Sequence, residues 1–480
     1  MSMIYRGYEA VIGLEVHAEL STASKIFCSC RTDFGAPPNT QCCPVCMGHP
    51  GTIPVLNRRA IELGARAGIA LNCHVNPLSA FDRKNYFYPD LPKAYQITQF
   101  YQPLCEGGFL TVETEEGERR IGITRIHLEE DAGKLIHDPR TGTSIDYNRC
   151  GVPLLEIVSE PELHSPEEAV AYLKKLRHRL IYAEVSNGRM NEGAFRCDIN
   201  LSVRKVGETA LNTRTEMKNL NSFAFVAKAI EYEFHRQVDQ ILAGEEIVQE
   251  TRRFDPETGR TERMRRKENS ADYRYFPEPD IPPVLLTEEE VRALSASLPV
   301  MPADRRRRYR DELGLSAYDA RRLTEDRALS DYFEAAAART AYPKLLANLC
   351  LSELVSRSEG DSFECPIPAE DLAQLTELLG NGVINSSTAR SLTAELWSSP
   401  TSPQRLVEER GLAQISDEQA LRALLTEAMA QNRRSVEDYR RGKKAAAKPI
   451  IGAVMASTHG KANPVLLSAL AEEMLNADPD

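Results

Sequence analysis

The sequence predicts an α+β protein: a strand-rich first part built on one antiparallel sheet, then helices to the end of the chain. Three observations predict it. Residues 10–20 alternate strictly, with Ala10, Ile12, Leu14, Val16, Ala18 and Leu20 on one parity and Glu15, His17 and Glu19 on the other. Residues 196–204 repeat the pattern, with Cys197, Ile199, Leu201 and Val203 against Arg196, Asp198, Asn200, Ser202 and Arg204. Beyond Pro282-Pro283 the apolar residues recur with helical spacing instead. A strand sends successive side chains to opposite faces, so each strand carries one oily and one polar face. One polar row could be a solvated face. Several rows that each hold acids, amides and cations suggest an ion- and phosphate-binding surface.

Taken in order, the 10–20 strand supplies Glu15 and His17. A segment over 151–160 places Glu156 and Glu160 on one side, and Asn212, Arg214, Glu216 and Lys218 share a parity. Ser165-Pro166-Glu167-Glu168 reads as N-cap, first-turn proline and capping-box acid, so a helix is expected to about Ile181. A second helix is expected from Ser222 to Leu242. Thr287-Glu288-Glu289-Glu290 is another capping box. Helices are then expected over 287–296, 302–312, 316–324, 327–338, 342–357, 368–378, 384–396 and 402–410. Ser416-Asp417-Glu418-Gln419, Ser435-Val436-Glu437-Asp438 and Asn463-Pro464 open three more. The expected domains are 1–292, 293–410 and 411–480.

With 480 residues, 42% of them hydrophobic, the chain can bury several cores. No apolar run reaches membrane-spanning length and no secretory leader is evident, so a cytoplasmic protein without membrane contact is expected. Eleven cysteines in such a chain point to metal or free thiols. Cys28-x-Cys30 followed by Cys42-Cys43-x-x-Cys46 has the spacing of a closed structural zinc site. The expected ligands are Cys28, Cys30, Cys43 and Cys46, with Cys42 competing for the place of Cys43. The other six cysteines read as core thiols.

A net charge of −11 does not suggest nucleic acid, but its distribution is uneven. Between residues 433 and 461 eight Lys/Arg face two acids, Glu437 and Asp438. Arg441, Gly442, Lys443, Lys444, Lys448, Gly460 and Lys461 are the expected RNA contacts, the glycines letting backbone approach phosphates. Arg305 to Arg308 with Arg310 form either a solvated helix or a phosphate-contacting face. The stretch Phe81 to Gln96, dense in aromatics, cations and amides, is either a packed loop or the lining of a nucleotide or RNA site. Glu129, Glu130 and Asp131 repel one another unless a cation is near, which favours a metal site there. Carboxylate oxygens suit Mg²⁺, which shares its shell with substrate phosphates.

Together these motifs resemble the B subunit of the aspartyl/glutamyl-tRNA amidotransferase. The resemblance runs through Val11 to His17, Phe81 to Pro89, Ile121 to Lys134, Pro153 to Pro161, Lys218 to Phe223, Asp272 to Asp280 and Gly460 to Pro464, and covers essentially the whole chain. It implies a catalytic cradle domain similar to the glutamine synthetase/guanidino kinase fold, followed by an all-α domain and a small helical tail domain. It implies that ATP phosphorylates the side-chain carboxylate of mischarged Glu-tRNA(Gln) or Asp-tRNA(Asn) and that ammonia then gives the amide. Its Mg²⁺ site falls on Glu15, His17, Glu130 and Glu156, and nucleotide or acyl-phosphate contacts on Lys84, Glu216, Lys218 and Asn221. Alternation supports Glu15 with His17 but places Glu129, not Glu130, with His127. Only a bulge would bring Glu130 round, so that residue stands on the resemblance. No Ser–Ser–Lys amidase signature is present, so ammonia is expected from a glutaminase A subunit clasped by a small C subunit in a heterotrimer. Two rival readings are a lone Mg²⁺/ATP ligase acting on a small acid and a zinc-stabilised, non-enzymatic tRNA adaptor.

Overall fold

In the computed structural model, residues 2–477 are described, apart from 115–116, 139, 267–269, 359–362, 400 and 459. The chain forms two compact units, residues 1–301 and 302–480.

The first unit is built on a ten-stranded sheet. Its order from one edge is Arg260–Arg266, Glu250–Asp255, Thr215–Leu220, Phe195–Lys205, Tyr8–Glu19, Pro153–Ser159, Gly117–Glu130, Cys105–Thr114 and His74–Val75, with Ile4–Tyr5 pairing onto Tyr8–Glu19. Tyr8–Glu19 is therefore central. The sheet is not wholly antiparallel as expected: Thr215–Leu220 and Glu250–Asp255 run parallel. The helix Phe223–Leu242 lies between them in sequence, and a crossover of that length is what a parallel pair requires.

Alternation decides the faces. Ala10, Ile12, Leu14, Val16 and Ala18 are all buried, as are Cys197, Ile199, Leu201 and Val203. They pack in one core with the helices Arg58–Ala70, Pro166–Tyr182 and Phe223–Leu242. Arg58–Ala70 lies so close to the sheet that a Cβ at Gly68 would strike Cys105. Ser165 caps its helix by accepting from the Glu168 N–H, as expected. The Thr287–Glu290 capping box is formed and starts Glu288–Ala296. That helix belongs to the first compact unit, tied to Arg58–Ala70 by a 2.5 Å Arg58–Glu290 ion pair.

The second unit is helical and holds two separate apolar cores. One runs from Tyr309 to Val407 and the other from Leu421 to Leu475. The expected 342–357 helix is Pro343–Leu349 continued by a π turn, Cys350–Leu354. Of the arginine run, Arg305 is buried, 2.5 Å from Asp331, and Arg308 lies 2.5 Å from Glu334. Arg305 is therefore internal to the fold, and Arg308 is engaged by Glu334 at the surface. The tail has a helix that the sequence pattern does not predict, Ala447–Ser457, beside Glu418–Gln431, Arg433–Arg440 and Pro464–Asn476. Among the described residues no helix is long and apolar enough to cross a membrane.

Candidate active site and cysteine cluster

Strand register gathers the polar face into two neighbouring acid clusters. His17 lies opposite Glu156, and Glu156 lies opposite His127 on the next strand. On the other flank Asp198 lies opposite Glu15, and Glu216 opposite Asn200. His17, Glu129 and Glu156 each offer a ligand atom within 4.8 Å of the others. Glu15, Asp198 and Glu216 do the same. Glu15 and His17 are two residues apart on one strand, so the two triads sit side by side.

The first triad is half-buried and strongly coupled. His17 Nε2 lies 3.4 Å from Glu156 and 3.9 Å from Glu129; His127 Nε2 lies 3.7 Å and 3.9 Å from the same carboxylates. Burial and the charge of Glu156 push the Glu129 carboxyl up to about 7. Burial also pushes Glu156 up, but His127, His17 and Lys84 together hold it well below the carboxylate range. Burial, helped by the nearby cations Arg125 and Lys84, brings His127 down to about 4 against the pull of Glu156. One acid resists ionisation beside another that is held ionised, and a divalent ion between them would favour the charged form of both. A His and two carboxylates suit Mg²⁺ or Mn²⁺.

The second triad is a carboxylate set. Asn200 Nδ2 donates to Glu15 at 2.7 Å, Thr251 Oγ1 donates to Glu216 at 2.8 Å, and Lys218 Nζ lies 2.5 Å from Asp198 and 3.7 Å from Glu216. Burial disfavours the charge on Lys218, but Asp198, Glu216 and Glu15 raise its pKa above the ordinary lysine value. Three acids with one cation beside them would suit a divalent metal ion that accompanies a phosphate group.

The structure brings together Glu15, His17, Glu156, Glu216 and Lys218. Lys84 joins them from the strand Asp82–Asn85: burial opposes its charge, but Tyr86 and the carboxylates of Glu129 and Glu156 raise its pKa. Asn221 is exposed past the strand end, and among the described residues no hydrogen bond or ion pair ties it to either triad. Glu130 is not with the triad. It accepts from Lys93 Nζ at 2.5 Å and from the Ile97 N–H at 2.9 Å. The pairing of Pro153–Ile157 with Ile126–Glu130 is regular throughout, and the only shift lies further back, between Val158 and Ser159. Without a bulge, Glu129 shares the face of His127 and Glu130 must point away. Glu129 appears in the sequence as one of an acid run and Asp198 as one of a polar row, but sequence reasoning gives neither a particular site. Parity alone puts both on the polar face, but their grouping depends on strand order.

The cysteine cluster lies in the 24–49 loop. Cys28, Cys30, Cys43 and Cys46 bring their sulfurs within 4.8 Å of one another. Cys42 Sγ is instead 3.9 Å from Asn148 Oδ1. The Cys28 hydrogen bond draws the Cys46 thiol down to about 4 against its burial, helped by the Cys43 N–H and the buried ammonium of Lys25, 3.6 Å away. Four clustered sulfurs, one with a strong preference for the thiolate, fit a tetrahedral metal ion. The loop turns at Gly48, whose φ is 66° and where a Cβ would strike Lys93.

The basic tail residues Arg441, Gly442, Lys443, Lys444 and Lys448 are exposed, and Gly460 and Lys461 are half-buried. Three are partly engaged: Arg441 lies 3.6 Å from Glu437, Lys443 lies 3.2 Å from Asp438, and Lys444 sits over the Tyr439 ring.

Residues 10–292 match the family model of the GatB/GatE catalytic domain, and residues 331–475 match that of the GatB domain. Over 98% of its length the chain is 51% identical to the B subunit of the aspartyl/glutamyl-tRNA(Asn/Gln) amidotransferase of Caldanaerobacter subterraneus, covering 99% of that protein. It is 50% identical to the protein of the same name from Geotalea uraniireducens and 49% identical to that from Thermodesulfovibrio yellowstonii, each over 98% of this chain and 99% of the relative.

Proposed function

The chain belongs to the GatB/GatE family, as the B subunit of a glutamine-hydrolysing tRNA amidotransferase, and on that premise we propose that it carries the ATP-dependent step of amidation. The substrate is the side-chain carboxylate of mischarged Glu-tRNA(Gln), Asp-tRNA(Asn) or both. The observation that carries this reading is the pair of acid triads side by side on one sheet face. We place the unit in the glutamine synthetase/guanidino kinase fold group, whose chemistry needs such a face.

Carboxylate and ammonia alone give only a salt, because hydroxide is a poor leaving group. In the proposed sequence a carboxylate oxygen attacks the γ-phosphorus of ATP and the bond to the β–γ bridging oxygen breaks, releasing ADP. Ammonia then attacks the acyl carbon, phosphate departs with the C–O bond pair, and ammonia's surplus proton passes to phosphate or water. Mg²⁺ at the triads offsets charge on the transferring phosphoryl group when bound. Glu15, Asp198 and Glu216 would hold the divalent ion that accompanies the triphosphate, with Lys218 as the cation beside them. His17, Glu129 and Glu156 are suited to the acyl side, where the Lys84 ammonium can hold the carboxylate and later the acyl phosphate.

Ammonia comes from a glutaminase A subunit, and a small C subunit completes the heterotrimer. The cysteine cluster holds a structural Zn²⁺, because four sulfurs leave no open position. The test is amide formation on Glu-tRNA(Gln) and Asp-tRNA(Asn) with ATP, Mg²⁺ and ammonium, with and without the partner subunits. ATP-dependent amidation on either tRNA is expected. No amidation on either, with partners present, would sink the enzyme reading and leave the zinc-stabilised adaptor in front.

The tail domain holds the tRNA through its backbone. Replacing Arg441, Lys443 and Lys448 together by Ala is expected to weaken tRNA binding at least tenfold at low salt. It should also flatten the salt dependence by about one unit of slope for each phosphate no longer neutralised. An unchanged salt slope in a filter-binding titration would remove these residues from the RNA surface.

A further inference from the structure

The aromatic stretch between Phe81 and Gln96 has an organisation that the phosphoryl chemistry leaves unused. Asp82–Asn85 pairs with Tyr95–Thr98 on one side and with Phe276–Pro277 on the other. This small sheet brings the 272–280 segment against the active face. Lys84 Nζ lies 5.4 Å from the Tyr86 ring centre and 5.0 Å from that of Tyr273. Tyr273 meets Tyr275 edge-on at 5.9 Å, and Tyr275 stacks on Phe100 at 4.0 Å with the planes 8° apart. Tyr101 is 60% exposed at the edge of Phe100. The wall begins at the lysine that faces Glu129 and Glu156, and the Tyr275 phenol itself feels both carboxylates.

Side chain to backbone hydrogen bonds fix the wall in place. Asn85 Nδ2 donates to the Arg274 carbonyl at 2.8 Å and to that of Tyr273 at 3.3 Å, and Tyr101 Oη donates to the Tyr275 carbonyl at 3.4 Å. These bonds pin Arg274 at φ 46°, a backbone conformation that side chains rarely adopt, and Arg274 is left exposed between the two tyrosines. Large rings kept partly exposed beside fixed cations form a platform for an unpaired base and its phosphate.

We propose that this wall, with Tyr275 and Tyr101 at its open end, seats the terminal nucleobase of the aminoacyl-tRNA and so positions the acyl carboxylate at Lys84. The inference rests on the tRNA reading above. In such a substrate one amino acid and one ribose join the reacting carboxylate to the terminal base. The base must therefore rest just beyond the group that holds the carboxylate, which is where the wall stands. ATP is the less fitting occupant, because the carboxylate triad and Lys218 that suit its phosphates lie on the opposite flank of Tyr8–Glu19. Arg274 supplies the charge complement for the terminal phosphodiester.

The test uses the assembled complex and two substrates: native mischarged tRNA, and the same tRNA with the terminal base removed and the ribose aminoacylated chemically. Wild type is expected to lose at least about tenfold in kcat/KM when the base is absent, the scale of one base–aromatic stack. Tyr275→Ala and Tyr101→Ala should lose a similar factor on native tRNA and little more on the abasic one, with KM for ATP unchanged. Tyr275→Phe should retain the native behaviour. Wild type indifferent to base removal would overturn the proposal whatever the variants do. So would variants that lose the same factor on both substrates, or that raise KM for ATP instead. If wild type amidates neither substrate, the functional reading fails and this inference falls with it.

Discussion

Glu129→Gln is expected to lower ATP-dependent amidation by on the order of a hundred- to a thousandfold, the loss typical of removing one preorganised charge from a reacting centre. Glu130→Gln is expected to leave metal binding intact. Both residues end the same strand, and the resemblance alone selects Glu130. The regular pairing of Gly117–Glu130 with Pro153–Ser159 selects Glu129, which stands 3.9 Å from His17 while Glu130 is engaged by Lys93. The stability effects should run the opposite way. In the metal-free chain the Glu129 carboxyl is pushed up to about 7 by burial and by Glu156, so its ionised form is a cost to the fold. Because that pKa is raised, the stability contributed by this group is lost as pH rises through about 7, and Gln removes the loss. Glu130→Gln instead leaves the buried Lys93 ammonium without its counter-charge, which costs about 3 kcal/mol or more. Manganese titration followed by electron paramagnetic resonance, with thermal unfolding alongside, separates the two. Loss of the bound-metal signal in Glu130→Gln with retention in Glu129→Gln would reverse the assignment.

Much of this was legible in the chain because alternation is a local property. The 10–20 segment reveals its oily and polar faces with no knowledge of its neighbours: its even-numbered residues are all buried, and Glu15, His17 and Glu19 on the other face are only half-buried. The helix-start signals at Ser165 and Thr287 are equally local, and both helices start where they direct, although the reciprocal capping box forms only at Thr287 and Glu168 accepts from the His164 N–H instead. What could not be read is which strand lies beside which. Glu15, Asp198 and Glu216 come from three strands, and only the strand order brings them within 4.8 Å. The parallel pair escaped for the same reason. The helix Ala447–Ser457 escaped for another: its lysine and glycine invite a reading as a phosphate-binding segment, while Ile450 and Val454 turn inward to the tail core. Tyr86, Phe100 and the Tyr273–Tyr275 pair lie in separate stretches of sequence, so their wall exists only in the folded chain.

Cys46→Ser or Cys43→Ser is expected to abolish zinc retention and destabilise the first unit, while Cys42→Ser does neither. Sequence spacing leaves Cys42 and Cys43 in competition. The structure places Cys43 among the four clustered sulfurs and Cys42 against Asn148. Zinc binding contributes about 10 kcal/mol or more in isolated fingers. Here the loop is also pinned by Ile26 N–H to Gly151 O and Val55 N–H to Phe27 O, so only part of that free energy bears on the unit as a whole. Even about 3 kcal/mol would lower the unfolding temperature by roughly 5 °C in a unit of this size. Elemental analysis of bound zinc per chain, with calorimetric unfolding before and after chelation, makes the measurement. Metal lost in Cys42→Ser but kept in Cys43→Ser would exchange the two ligands, and an unfolding temperature indifferent to chelation would remove the structural role. The two triads should survive the loss. Their residues sit on strands that pair directly with one another, so amidation from added ammonium at low temperature should fall much less than the unfolding temperature implies.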